Sequence, residues 1–124
     1  MKTKIESKNA PKVIGPYSQA VMVGDFIFTS GQIYITAEGK LLEGTIEEQT
    51  HQVMKNLKAV LEEAGVTFDN VVKTTIYVTD MSVYSTINEV YGSYFTGIFP
   101  ARETVAVAAL PAGAKLEISM VAVK

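Results

Sequence analysis

The chain has no cysteine and no tryptophan, one histidine (His51) and one arginine (Arg102) in 124 residues. Without cysteine there is no disulfide, no thiolate nucleophile and no thiolate metal site. A lone histidine supplies neither a His-based metal cluster nor a convincing Ser–His–Asp set. Basic residues are not in surplus: 11 Lys and Arg stand against 13 Asp and Glu, a formal charge of −2. That balance disfavours a general nucleic-acid binder, which displaces counterions from phosphate with excess Lys and Arg. No apolar run approaches the ~20 residues that span a bilayer, and the opening MKTKIESKNAPK lacks the apolar stretch of a signal peptide. No P-loop or G-x-G-x-x-G motif supports a nucleotide cofactor. These absences lead us to expect a cytoplasmic protein with no membrane partner, no cofactor and no resident metal.

What the chain does have is a core: 48% of its residues are hydrophobic and only 19% charged. That composition and length fit one folded domain over residues 1–124. Four separated prolines mark element boundaries, and there is no repeat or linker.

Two segments read as helices. In residues 45–65, Ile46, Val53, Met54, Leu57, Val60, Leu61 and Ala64 form one stripe at helical period. Thr45 and Glu48 make a capping box, and Gly65 is a natural stop. Residues 82–95 place Val83, Tyr84, Ile87, Val90, Tyr91, Tyr94 and Phe95 along one side, so the tyrosines read as core. Strands are expected over Ser18–Val23 and Phe26–Ser30 around a Gly24-Asp25 turn, and over the β-branched Val71–Thr79. Two more, Thr104–Ala109 and Leu116–Val123, flank LPAGAK, which reads as a second hairpin turn. The result is an α+β order. Two helices can blanket one face of such a sheet, and nothing is left to cover the other, so a symmetric oligomer is expected.

Few residues are chemically distinctive. Arg102 offers a planar bidentate fork suited to a carboxylate, although a structural salt bridge would also account for it. Glu117 alternates onto one face with Ser119, Val121 and Val123. Among apolar neighbours its carboxyl could be desolvated and suited to proton transfer; equally, that end could face solvent. In the hairpin register the two lie on the order of 15 Å apart, so a small ligand touching both would need a second copy of the chain. Glu103 should point away from Arg102, as a solvent or interface charge. His51, with Glu47 and Glu48 at i−4 and i−3, reads as a helix-surface ion pair rather than a metal ligand. Ser30-Gly31 sits at a strand end, where glycine permits a close approach or simply a bulge.

At these residues the sequence resembles the RidA (YjgF-type) family of enamine/imine deaminases. NAPKVIGPYSQA, FTSGQI, EEQTHQVMKNLKAVLEEAG, VVKTTIYVTDM, INEVYGSYF and FPARETVAVAALPAGAKLEI follow one another in the family's order. The resemblance implies a chorismate-mutase-like (bacillus-type) α+β fold with two helices on one face of the sheet. It further implies a homotrimer with a central barrel-like core and clefts between subunits. It also implies hydrolysis of small 2-imino or enamine acids, such as 2-aminoacrylate and 2-iminobutanoate, to 2-keto acids and ammonia, without cofactor or metal. In that reading Arg102 holds the substrate carboxylate and Glu117 activates water. Tyr17 walls the cleft, Ser30, Gly31 and Thr104 contact the ligand, and Asn88 supports the pocket. Three positions depart from the family pattern. Thr104 stands where many members have cysteine, Tyr34 where proline is frequent, with an expected effect on the pocket mouth, and Ser119 where many have a second glutamate. Other readings compatible with the resemblance are a carboxylate-binding trimer without turnover, a translation-inhibiting ribonuclease and a chaperone-like protein.

Overall fold

A computed structural model describes all residues, Met1–Lys124. The strands are β1 (Thr3–Ile5), β2 (Ala20–Val23), β3 (Phe26–Thr29), β4 (Val71–Val78), β5 (Ala101–Ala106) and β6 (Leu116–Val123). The helices are α1 (Ile46–Glu63) and α2 (Tyr84–Gly92). All six strands form one sheet in the order β1-β2-β3-β6-β4-β5. It is antiparallel except for the β4–β5 pair.

Helix α1 forms as its sequence predicts. Thr45 Oγ1 accepts from the Glu48 amide at 3.1 Å, while Glu48 accepts from the Thr45 amide at 2.9 Å. Gly65, at φ +81°, closes the helix: its N–H reaches Glu62 O, and the Val66 N–H reaches Leu61 O. The apolar stripe lies under the sheet: Val53, Met54, Leu57, Val60 and Leu61 are fully buried, in one core with Leu116, Ile118, Met120 and Ala122 of β6. Glu117, Ser119, Val121 and Val123 face the other way and are half-buried. Both helices therefore cover one face, as expected.

The opposite face is apolar and open. Phe26 pairs with Val23 and Val123, Phe28 with Val21 and Val121, and the two phenylalanine rings are stacked at 6.2 Å. Phe26 and Phe28 are 50% and 44% exposed, high for aromatic rings in the middle of a sheet.

One strand connection differs from the sequence reading. LPAGAK is not a hairpin turn. β4 lies between β5 and β6, parallel to the first and antiparallel to the second. α2 returns the chain to start β5 beside and parallel to β4, as a crossover helix does. Residues 107–115 then cross the end of β4, held by Val107 N–H to Val78 O and Thr79 N–H to Lys115 O. Proline and glycine here form a one-turn 3-10 segment, with Ala112 and Gly113 at positive φ. β5 also begins three residues earlier than expected, which places Arg102 inside an edge strand. Strand β1 carries little apolar signal and was not expected. Gln19 latches the segment between β1 and β2: its side chain accepts from the Ser7 amide at 2.6 Å and donates to Ser7 O and Pro11 O.

Candidate functional site

The residues singled out in the sequence fall into two groups on opposite faces of the sheet. The first lies on the open face. Tyr17, Ser30, Gly31 and Glu117 line a cavity of about 810 Å³, walled also by Ile33 and Ile35. Glu117 projects from β6 beside Gln32 and Gly31, where Gln32 and Ile118 exchange backbone hydrogen bonds. Burial pushes its carboxyl above the usual carboxylate range. The Ser30 hydroxyl donates to Ser18 O, so it can only accept from a ligand.

Gly31 has a spatial explanation. A Cβ there would stand 2.6 Å from Glu117 Cδ and 2.9 Å from its Cγ. The missing side chain is the space that the Glu117 side chain occupies. Gly31→Ala is therefore expected to keep the fold while swinging that carboxylate aside. A misplacement of ~1 Å in a reacting group can cost ~10²-fold, so a turnover assay beside a thermal melt should show a fall of that order with little change in stability.

The second group lies on the helix side of edge strand β5. Arg102 pairs with the buried Thr74 and Thr104 with the buried Ile76, so both side chains face α2. Asn88, Tyr91, Phe99, Pro100 and Arg102 line a shallow depression of about 270 Å³. The guanidinium carbon lies 5.3 Å from the Tyr91 ring centre and 5.6 Å from that of Tyr84. Nη2 donates to the Tyr84 hydroxyl at 3.0 Å. The structural salt bridge that the sequence left open is absent: the ion pairs are Lys4–Glu6 and Lys73–Glu103. Beside this unpaired cation, Asn88 Oδ1 and Thr104 Oγ1 are buried without a hydrogen-bond partner.

The two groups do not meet in one chain. On β4, Arg102 lies opposite Thr74 and Glu117 opposite Tyr77. Two strand spacings and three residues put the two Cα atoms roughly 14 Å apart, with the side chains on opposite faces. The separation resembles the hairpin estimate, but its cause is the intervening strand.

Other expectations need correction. Tyr34 is buried and its hydroxyl accepts from the Lys115 amide at 2.9 Å, so it braces the β5–β6 crossover instead of shaping the pocket mouth. His51 pairs with neither Glu47 nor Glu48; its Nδ1 shares a 2.7 Å hydrogen bond with the Tyr94 hydroxyl. No group of three or more His, Cys, Asp or Glu side chains is placed to hold a metal ion. No helix is long and apolar enough to cross a membrane. Tyr84 is not core; it is 37% exposed at the first position of α2, where Arg102 donates to its hydroxyl.

The family model described as Endoribonuclease L-PSP matches residues 7–124. The chain belongs to the YjgF/RidA family. It is 52% identical over 122 residues to Protein DfrA of Myxococcus xanthus, covering 96% of this chain and 93% of that one. It is also 46% identical over 121 residues to the mouse 2-iminobutanoate/2-iminopropanoate deaminase, covering 97% and 90%. Among solved structures, a Rid-family protein of Yersinia pestis superposes with a TM-score of 0.97 at 52% identity, covering 100% of both chains. E. coli TdcF with bound serine gives 0.94 at 38% identity, covering 98% of each. These likenesses agree with the observed fold, an open six-stranded mixed sheet with two helices.

Three polar side chains of this Rid-family chain were missed in the sequence. Gln19 fixes the segment that carries Tyr17. Asn56, fully buried on α1, donates to Ile33 O at 3.1 Å and Ile35 O at 2.8 Å and so holds the apolar wall of the cavity. Tyr84 grips Arg102. A polar residue inside an apolar stripe is a signal for the first two; none in the sequence links position 84 to position 102.

Proposed function

We propose that the protein hydrolyses small 2-imino and enamine acids to 2-keto acids and ammonia, in clefts formed where copies of the chain meet as a homotrimer. The observation that carries this reading is the unpaired guanidinium. The one arginine is held between two aromatic rings with no carboxylate of its own chain, so it is free to take that of a ligand. The desolvated Glu117 and its cavity lie on the other face, and the open face carries exposed Phe26 and Phe28 that a second copy would bury. Sheet packed on sheet would bring the Glu117 side of one copy to the Arg102 edge of the next. Relatives named 2-iminobutanoate/2-iminopropanoate deaminase support the substrate class, and TdcF with bound serine supports a small amino-acid-like ligand.

The chemistry asks little of the protein. An iminium carbon is already electrophilic, so positioning and proton transfer suffice. Arg102 would clamp the substrate carboxylate through paired N–H donors. Glu117, as carboxylate, would take a proton from water as its oxygen bonds to the imine carbon and the C=N π pair moves onto nitrogen. The same proton would then pass from Glu117 to that nitrogen. The carbinolamine then collapses: Glu117 takes the hydroxyl proton as C=O forms, the C–N pair goes to nitrogen, and ammonia leaves. An enamine first takes a proton at its terminal carbon and becomes the imine.

To test this, 2-aminoacrylate generated by a serine dehydratase is followed with and without the protein, which should speed loss of the imine. Binding of 2-keto acids with no acceleration would make the protein a carboxylate-binding module instead. Ribonuclease chemistry finds no support in a chain of charge −2 whose single histidine is on the outer face of α1, bonded to Tyr94.

A further inference from the structure

Two tyrosines flank Arg102, and their hydroxyls are placed differently. Tyr84, Asn88 and Tyr91 follow one another at i, i+4 and i+7 on α2, one face of the helix. The Tyr91 hydroxyl is inside the protein and donates to Thr74 Oγ1 at 2.9 Å, which leaves no hydrogen to give a ligand. Tyr84 is 37% exposed, and its oxygen is an acceptor: Arg102 Nη2 donates to it at 3.0 Å.

A phenol carries two lone pairs and one hydrogen. One lone pair is engaged by the Arg102 cation, and the hydroxyl hydrogen is left free: no atom of the chain accepts it. It sits on the exposed rim beside an unpaired guanidinium. The group that suits this pair is an anion with two acceptor oxygens: both face the guanidinium fork, and one of them also takes the phenolic hydrogen. We propose that Tyr84 is a further anchor for the ligand carboxylate, donating its hydroxyl hydrogen to the oxygen that Arg102 also holds. The neighbouring Asn88 side chain and the Arg102 charge beside it bring the Tyr84 hydroxyl below the usual phenol range, which makes it a better donor. This rests on the carboxylate reading of Arg102 given above.

The test is calorimetric binding of 2-oxobutanoate and of its neutral amide to the wild-type protein, Tyr84→Phe and Arg102→Ala, with thermal melting to check each fold. A hydrogen bond to a charged group is worth about 10-fold or more in affinity, so Tyr84→Phe should weaken the acid by that factor and leave the amide unchanged. In the imine assay it should raise KM by about the same factor with kcat within about twofold, the pattern of an anchor that holds ground and transition states alike. If Tyr84→Phe binds the acid as wild type does while Arg102→Ala does not, Tyr84 is no anchor and the carboxylate reading stands. Equal weakening of acid and amide overturns the proposal too, since it marks a merely structural ring. If Arg102→Ala keeps full affinity, the carboxylate reading itself fails.

Discussion

Arg102→Ala is expected to remove nearly all acceleration of imine loss. Two charge-assisted hydrogen bonds to a carboxylate, at about 1.5–3 kcal/mol each, correspond to roughly 10²–10⁴-fold in kcat/KM. Stability should change little, because Arg102 makes no ion pair within its chain and lies on the edge strand. Arg102→Lys should recover only part of the loss, since an ammonium attracts the carboxylate but does not reproduce the fork. The placement of Arg102 and Glu117 on opposite faces adds a sharper version. In the proposed homotrimer, Arg102→Ala and Glu117→Gln chains coexpressed in equal amounts would mix so that about a quarter of the clefts join an intact Arg102 to an intact Glu117. Activity near that fraction of wild type is the expected result. No recovery above the separate variants would mean that each site is built within one chain.

Glu117→Gln should act on a different kinetic parameter. It keeps the shape of the side chain and removes the proton acceptor, so kcat should fall about 10²–10⁴-fold while KM changes little. The pH profile follows from the direction of the shift. Burial raises the carboxyl pKa, and the base works only when ionised, so the acid limb of the wild-type rate should have its midpoint above the usual carboxylate range. The limb should be absent from the residual rate of the variant. Stability runs with the opposite sign. Between the ordinary carboxylate value and the raised one, the folded state binds more protons than the unfolded state, so rising pH destabilises the wild type across that window. Above it, Glu117→Gln should unfold at a temperature equal to or higher than wild type, as chemical denaturation or melting across pH would show. A variant that is both less stable and less active would instead assign Glu117 to packing.

Local signals were legible where one element satisfies itself. Thr45 with Glu48 and Gly65 defined α1, Gly24 gave the turn between β2 and β3, and strict alternation along β6 placed Glu117 on the face opposite Leu116, Ile118 and Met120. Signals failed where a partner distant in sequence decides. LPAGAK has hairpin composition, yet the helix between β4 and β5 sets those strands parallel, so the chain must cross the end of β4 to reach its far side. Gly31 reads as a close-approach or bulged position until Glu117, brought from the other end of the chain, is seen filling the place of its side chain. Tyr84 sits in an apolar helical stripe, and only the third dimension shows it at the rim against Arg102.

By itself, then, the amino-acid sequence determined the element types, the apolar face of α1, the family and the unusual status of one arginine and one glutamate. The family came from resemblance along the chain; the other properties come from periodicity, capping and composition, which act over a few neighbouring residues. Only the tertiary structure decided the strand order and, with it, that Arg102 and Glu117 look out from opposite sides of one sheet. Strand order depends on pairing between segments far apart in the chain, and the two faces differ only in which one the helices cover.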